Sequence, residues 1–304
     1  MRLVLLLPRA TRAGFLSASL APAALGCAWA AWRGCDLSAL RVAATLAGAA
    51  LLHLGINVLN DVGDALGGAD AANPAPGPFS GGSRVIQEGI LSVRTMTVLG
   101  CTLLVLGGAL GLWLNATVPG NAVLVIGLVG VALGVLYSLG PRPLGYTPLG
   151  LVSCVVAFGP VIASGAYAAQ GGGWDVRAAV AGLPIGLFLG LLLHINQVPD
   201  RAGDAAVGKN THVVLLPAKA AAPVYAALAA ATYGALVVVV LFGLLPALSL
   251  AALMSLPLAV FALRVCARFG GDPRRIRPAN AATIALHGVN GLILVTSLVL
   301  ASLD

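Results

Sequence analysis

Nine runs of mainly apolar residues, each about 20 residues long, constrain this chain more than any other feature of its sequence. An α-helix of that length rises about 30 Å and spans the hydrocarbon core of a bilayer. The runs lie at residues 14–32, 40–58, 95–114, 120–139, 147–170, 178–198, 219–242, 244–263 and 281–302. They predict an all-α fold, a polytopic membrane helical bundle of about nine transmembrane helices, in which residues 1–304 form a single domain.

The composition supports a membrane location. Of the 304 residues, 59% are hydrophobic and only 9% are charged. Soluble domains carry about 25% charged residues, so this composition excludes an ordinary soluble enzyme, a disordered chain and a nucleic-acid binder. We therefore expect the lipid bilayer to surround the chain, and we expect no nucleic-acid partner despite a formal net charge of +7.

The basic residues indicate the orientation in the membrane. The N-terminus and the alternate loops that share its side hold 14 of the 17 lysines and arginines, and the opposite side holds 3. Cytoplasmic loops of membrane proteins are enriched in Lys and Arg. This bias predicts a protein of a bacterial-type inner membrane with its N-terminus in the cytoplasm.

Six of the ten acidic residues lie in two loops that this topology places on the cytoplasmic side: Asp61, Asp64, Asp70, Glu88, Asp200 and Asp204. If the helices before these loops continue, two polar stripes form, since their members recur at helical spacing. The stripes are Asn57, Asn60, Asp61 and Asp64, and Asn196, Asp200 and Asp204. Ionisable groups at helix ends in a bundle are functional candidates by default. The alternative is that both loops are simply solvated.

Carboxylates from two such stripes would form an oxygen-rich site at the mouth of the bundle. Mg²⁺ prefers a few carboxylates together with waters and substrate phosphates. A glycine-containing segment with one basic residue adjoins each stripe, Arg84 within residues 78–89 and Lys209 within residues 208–211. Backbone amides beside an Arg or Lys suit an anion. The sequence therefore predicts a site for Mg²⁺ and a diphosphate.

At these residues the sequence resembles the UbiA superfamily of membrane prenyltransferases. The segment Asn60-Asp-Val-Gly-Asp-Ala-Leu-Gly-Gly-Ala-Asp70 is similar to the first aspartate motif, in the NDxxDxxxGxD form of the 1,4-dihydroxy-2-naphthoate polyprenyltransferases. Arg84 falls at the arginine of the segment that follows, and Asn196 to Thr211 resembles the second motif, NxxxDxxxDxxxGKxT. Tyr137 to Pro160 is similar to the region around the fifth span, so the resemblance extends along the chain.

The resemblance implies a role for each matching residue. The catalytic aspartates would be Asp61, Asp64, Asp70, Asp200 and Asp204, of which Asp61, Asp64, Asp200 and Asp204 would bind Mg²⁺. The substrate-binding residues would be Asn57, Asn60, Arg84, Tyr137, Arg142, Asn196 and Lys209. The implied reaction is the Mg²⁺-dependent transfer of a polyprenyl group from an allylic polyprenyl diphosphate to an aromatic acceptor. That acceptor would be 1,4-dihydroxy-2-naphthoate in menaquinone biosynthesis, bound on the cytoplasmic face.

Four positions depart from the family pattern. Gly68 stands where the general motif has its third aspartate, although Asp70 occupies the naphthoate-type position. Pro199 replaces an arginine common in relatives, and Leu151 replaces a glutamate. Arg142 lies one residue earlier than the usual basic position. These departures bear on the acceptor more than on the diphosphate chemistry.

Several alternatives remain open at the level of sequence. The acceptor could be a 4-hydroxybenzoate-like ring, a chlorophyllide-like molecule or a glycerol phosphate, and a membrane terpene cyclase would need no acceptor. A secondary transporter is disfavoured because its binding residues would lie near the bilayer midplane, whereas these charges crowd one face. Tyr137 and Tyr146 are candidates for a general base, and helix packing is the favoured role of His53 and His194.

Overall fold

The computed structural model describes residues 2–72, 77 and 81–303, and most of this range is helical. The α-helices in chain order are α1 (Arg2–Ala10), α2 (Ser17–Trp32), α3 (Ala39–Gly67), α4 (Ala69–Ala72), α5 (Val93–Ala116), α6 (Ala122–Ser138), α7 (Leu149–Val156), α8 (Ile162–Tyr167), α9 (Val176–Ala206), α10 (His212–Leu215), α11 (Ala221–Leu241), α12 (Leu256–Phe269) and α13 (Arg277–Ala301). Pro78 to Ser80, part of the predicted phosphate-binding segment, and Asp304 lie outside the described residues.

The predicted membrane bundle is confirmed. Within the described residues, eight helical segments are long and apolar enough to span a bilayer, and α6 adds a shorter apolar helix of 17 residues. This ninth helix is shorter than the predicted run because Gly140 and Pro141 follow it closely. Proline cannot continue a helix and biases the residue before it away from helical angles.

The helices α3 and α9 extend well beyond the apolar runs that predicted them. They contain 29 and 31 residues, so both exceed the roughly 30 Å thickness of a hydrocarbon core. Gly68 ends α3 with a φ of 79°, a left-handed conformation that glycine adopts readily. Both aspartate motifs therefore lie on the last turns of long helices, and their polar residues form stripes as the spacing predicts.

The fifth span is a bent helix. Two π-helical stretches, Ala157–Val161 and Ala168–Gly172, follow α7 and α8, and the first contains Pro160. Proline has no backbone N–H to donate, so the pattern of backbone hydrogen bonds in the helix changes there. A Cβ on Gly159 would lie 2.6 Å from the carbonyl oxygen of Gly182. Glycine at this contact allows the fifth span and α9 to pack backbone to backbone, as small residues do in membrane bundles.

The largest core cluster surrounds α9, the most buried of the spans. Phe188 and Ile195 of this helix are fully buried against residues of α11 and α13. Asn280 of α13 donates to the carbonyl of Ile195 at 2.9 Å, and the indole of Trp29 donates to the carbonyl of Leu244 at 2.9 Å. This packing supports the end of α9 that carries the second aspartate motif.

Candidate active site

A cavity of about 210 Å³ lies between the ends of α3 and α9 that carry the two motifs. The structure brings nine of the twelve predicted site residues to its wall: Asn57, Asn60, Asp64, Asp70, Tyr137, Asn196, Asp200, Asp204 and Lys209. The three others, Asp61, Arg84 and Arg142, are not part of the lining. Two loops far apart in sequence thus form one acidic cavity.

Lys209 links the two motifs. Its Nζ lies 3.3 Å from Oδ1 of Asp64 and 3.5 Å from Oδ1 of Asp204. Burial opposes the ammonium charge, but the two carboxylates outweigh it and raise the pKa of Lys209 above its ordinary value. The lysine is therefore a fixed positive charge between the first and second motifs.

Tyr146 positions the same pair of groups. Its hydroxyl donates to Oδ1 of Asp64 at 3.1 Å, and Nζ of Lys209 lies 5.0 Å from the centre of its ring. The amide of Asn210 donates to the carbonyl of Tyr146 at 2.8 Å. Burial and the Asp64 charge raise the pKa of Tyr146, so its hydroxyl stays protonated and acts as a donor to Asp64.

Asp61 is buried and has two partners outside the helix α3. The backbone N–H of Ser83 donates to its Oδ2 at 3.0 Å, and the guanidinium of Arg12 lies 3.6 Å from its Oδ1. No hydrogen bond reaches this buried Oδ1 from any described residue. A buried carboxylate oxygen with spare acceptor capacity is a natural position for a cation ligand.

Arg12 is a site residue that the sequence analysis missed. It lines the cavity and has backbone angles of φ 52° and ψ 42°, in the left-handed region that residues with a Cβ rarely adopt. Such strain persists where surrounding contacts hold it, and it clusters at functional sites. In the sequence, Arg12 contributes only to the bias of basic residues toward one side, and nothing in its spacing connects it with the aspartate motifs.

Arg84 and Arg142 are two predicted substrate-binding residues that do not line this cavity. The guanidinium of Arg84 donates to the backbone carbonyl of Asp70 at 2.9 Å, so it holds the loop that follows α4. Arg142 is exposed on the loop after α6. Arg84 also has a left-handed φ of 62°, a conformation that residues with a Cβ rarely adopt.

Asp70 lies at the wall of the cavity beside the first motif. The side-chain amide of Gln87 donates to its Oδ2 at 3.2 Å. Burial, followed by the charges of Asp64 and Asp61, raises the pKa of Asp70 to about 7. Because Asp70 lies close to other carboxylates, a cation bound nearby would stabilise its ionised form.

The asparagines are positioned by neighbouring helices. Asn280 donates to Oδ1 of Asn196 at 2.8 Å, and Asn57 donates to the carbonyl of Thr11 at a long 3.4 Å. Asn280 comes from α13, and the sequence analysis did not connect that helix with the site. A weak signal was present, since Asn280 directly precedes the ninth apolar run and several further polar residues follow it on that helix.

The four predicted metal ligands do not form one compact ligand cluster. Among the described residues, no three His, Cys, Asp or Glu side chains are grouped closely enough to hold one ion. The positive charge of Lys209 instead stands between Asp64 and Asp204. The donor set still fits Mg²⁺, because this ion binds through one or two carboxylates and takes its other ligands from water and phosphate.

A second, apolar cavity of about 190 Å³ continues from the first between α2, α3, α5, α6 and the fifth span. The two cavities share five lining residues: His53, Ile56, Gly134, Ala157 and Phe158. Gly107, Gly111 and Gly127 keep the apolar part open. The acidic cavity therefore leads directly into a hydrocarbon-lined channel inside the bundle.

A helical membrane bundle with an acidic cavity at one end of an apolar channel is built for a substrate with a charged head and a hydrocarbon tail. The family model for UbiA prenyltransferases matches residues 19–288. The chain belongs to this family and is a prenyltransferase.

Individual relatives and solved structures agree with the assignment of this chain to the UbiA prenyltransferase family. The chain is 30% identical over 268 residues to the 1,4-dihydroxy-2-naphthoate octaprenyltransferase of Escherichia coli K12, covering 86% of this chain and 84% of that protein. Its fold is similar to that of a UbiA homologue from Aeropyrum pernix, with a TM-score of 0.72 at 18% identity over 93% and 98% of the two chains. A homologue from Archaeoglobus fulgidus bound to DMAPP and Mg²⁺ superposes with a TM-score of 0.65 at 17% identity over 95% and 99%.

Proposed function

We propose that this protein transfers a polyprenyl group from an allylic polyprenyl diphosphate to 1,4-dihydroxy-2-naphthoate, as menaquinone biosynthesis requires. The observation that carries this proposal is the continuity of the acidic cavity with the apolar channel. The naphthoate acceptor is supported by the 30% identity to a relative that carries this substrate in its name.

The diphosphate head would lie among the two motifs. Asp61, Asp64, Asp200 and Asp204 would hold Mg²⁺ there. When bound, this ion neutralises the negative charge that develops on the leaving diphosphate. Lys209 and Arg12 line the same cavity and supply further fixed positive charge to the phosphate oxygens. In this arrangement Arg84 contributes indirectly, because it holds the main chain of Asp70.

The polyprenyl tail would occupy the apolar channel. The wall combines aliphatic side chains with glycines, which suits a linear hydrocarbon chain. The reactive allylic carbon joins head to tail, so it would lie where the two cavities meet.

The transfer itself needs no nucleophile from the protein. The carbon–oxygen bond of the allylic diphosphate breaks, and its electron pair leaves with the diphosphate. A π-electron pair of the electron-rich acceptor ring then forms the new carbon–carbon bond, and in a dihydroxynaphthoate the ring carboxylate is lost as CO₂, which leaves its electron pair to restore the aromatic ring. The protein contributes orientation and a field that favours charge separation. The acceptor ring would enter through the acidic cavity, on the side that the positive-inside rule places in the cytoplasm.

The proposal is tested by a product assay. The purified protein in lipid nanodiscs is incubated with Mg²⁺ and radiolabelled geranylgeranyl or octaprenyl diphosphate. Separate reactions contain dihydroxynaphthoate, 4-hydroxybenzoate, a chlorophyllide or glycerol phosphate. We expect label in a prenylated naphthalene product. Label in another acceptor would replace the naphthoate assignment, and label only in a cyclised hydrocarbon would identify a terpene cyclase.

A further inference from the structure

His53 lies at the junction of the acidic cavity and the apolar channel. It is the one histidine among the described residues that line either cavity, and it lines both. It precedes Asn57 by one helical turn, about 6 Å along the axis of α3. Its ring packs edge-on against Phe158, with 5.1 Å between ring centres. A group at this junction stands beside the allylic carbon of the proposed substrate.

The hydrogen bond between His53 and Ser19 indicates which ring nitrogen of His53 can accept a proton. Nδ1 lies 2.9 Å from Oγ of Ser19, whose hydroxyl donates to the carbonyl of Leu16 at 3.2 Å. A hydroxyl has one hydrogen, so when Ser19 donates to Leu16, Nδ1 is the donor in the His53–Ser19 pair. In the neutral ring Nε2 is then unprotonated, and no described residue forms a hydrogen bond with it.

Other polar groups in the cavity are less suited to accept a proton. Asp64, Asp200 and Asp204 would bind Mg²⁺, Asp70 accepts a hydrogen bond from the side-chain amide of Gln87, and Lys209 and Arg12 are positively charged. Tyr146 is a hydrogen-bond donor to Asp64. His53 is thus a neutral base whose Nε2 is available to accept a proton. It lies at the boundary where an aromatic acceptor would meet the prenyl group.

We propose that His53 is a catalytic base that takes a hydroxyl proton from the aromatic acceptor during prenyl transfer. This inference rests on the proposed function and adds a residue role to it. As the ring carbon forms the carbon–carbon bond, the hydroxyl proton passes to Nε2 and the hydroxyl becomes a ring carbonyl. The diphosphate leaves with the electron pair of the broken carbon–oxygen bond. The ring carboxylate then leaves as CO₂, its electron pair restores the aromatic ring, and the ring oxygen takes a proton back from His53.

The matched pair His53→Gln and His194→Gln tests this role. His194 is a buried histidine whose ring contacts His212 and the carbonyl of Ala221, and it lines neither of the two cavities. We expect His53→Gln to lower kcat by about 100-fold, because general base catalysis contributes roughly 10²–10⁴-fold. Its KM for the prenyl diphosphate should stay near the wild-type value, and His194→Gln should keep the wild-type kcat.

Two further variants separate base catalysis from helix packing. Ser19→Ala removes the hydrogen bond that ties His53 to α2 and leaves the imidazole in place, so its loss of kcat should be smaller than that of His53→Gln. His53→Ala opens space in the cavity, and added imidazole should restore part of its kcat.

The outcomes distinguish this inference from the proposed function. An unchanged kcat in His53→Gln, with an active wild-type enzyme, would overturn only the role of His53. Equal losses in His53→Gln and Ser19→Ala without imidazole rescue would do the same, since they would assign the residue to packing. A wild-type enzyme that prenylates no aromatic acceptor would overturn both proposals.

Discussion

At the scale of single residues, the site is an arrangement of charges that balance one another. Lys209 stands between Asp64 and Asp204, and Arg12 faces Asp61. Carboxylates from two helices repel one another unless cations separate them. These basic residues therefore keep the acidic residues close together, in a form that can receive a phosphate-bound cation.

Asp64→Asn should remove most of the activity. The substitution keeps the shape of the side chain but removes a negative charge from the proposed Mg²⁺ site, so we expect kcat/KM to fall by at least about 100-fold. Steady-state product formation measures the effect. Asp175→Asn is the matched control, because Asp175 caps the opposite end of α9 and asparagine caps a helix equally well. Equal activity in both variants would contradict the assignment.

Arg12→Gln should weaken binding of the prenyl diphosphate. Hydrogen bonds to charged groups contribute about 1.5–3 kcal/mol, so KM for this substrate should rise by about tenfold or more. Initial rates at varied prenyl diphosphate give the value. Arg94→Gln serves as control, since Arg94 is exposed at the start of α5. If the two variants share the wild-type KM, Arg12 has no part in binding.

Tyr146→Phe should lower activity through Asp64 alone. The phenylalanine ring keeps its place beneath Lys209, and only the hydrogen bond to the carboxylate is lost. We expect kcat/KM to fall by about tenfold and the Mg²⁺ concentration for half-maximal rate to rise. Tyr146→Ala also removes the ring, so its kcat/KM should fall further. A Tyr146→Phe enzyme with a wild-type Mg²⁺ dependence would show that the hydroxyl does not position Asp64.

At the scale of elements, glycines on α5 and α6 create the room for a hydrocarbon tail. Gly111 and Gly127 line the apolar channel, and a Cβ built on either residue would meet no atom within 4 Å. The channel is therefore bounded by helix backbones as well as by side chains. Its free length depends on which side chains project into it.

Gly111→Leu should shorten the prenyl chain that the enzyme accepts. The new side chain would enter the channel, so kcat/KM for octaprenyl diphosphate should fall by roughly tenfold or more while geranyl diphosphate is retained. Gly108→Leu is the control, because Gly108 lies on the same helix in open space and does not line the channel. Competition between the two substrates measures the ratio. The same ratio in both variants would place the tail elsewhere.

At the scale of the whole molecule, the bundle is asymmetric in charge. In the predicted topology, 14 of the 17 basic residues share one side with the proposed site. The positive-inside rule assigns that side to the cytoplasm. The basic residues Arg268 and Arg275 flank Phe269 at that same end by the predicted topology. Head groups of anionic lipids attract such residues. The proposed site and the basic residues thus share one side of the predicted topology.

The nine-helix topology predicts opposite sides for the two ends of the chain. A reporter fused after Asp304, which lies outside the described residues, should be active outside the cytoplasm. A fusion truncated after Gly271 contains eight spans and should remain cytoplasmic. Protease protection in membrane vesicles measures independently on which side of the membrane each reporter lies. Finding both reporters on one side would overturn the topology and the orientation of the site.

Much of this protein could be predicted from sequence because its determinants are local. A run of apolar residues must satisfy its backbone hydrogen bonds internally in lipid, so it forms a helix wherever it lies in the chain. The spacing of Asn57 to Asp64 and of Asn196 to Asp204 likewise predicts one face of each helix end. Both inferences need only neighbours within a few residues.

The tertiary structure decided what the motifs contact. Arg12 reaches the site because α1 and α2 place the N-terminal segment beside α3, and the guanidinium of Arg84 bonds the backbone carbonyl of Asp70. His53 gains its position because α3, α6 and the fifth span meet around two connected cavities. These contacts join residues far apart in sequence. The sequence alone therefore determined a membrane bundle with two acidic helix ends, whereas helix packing determined which cations, donors and base face them.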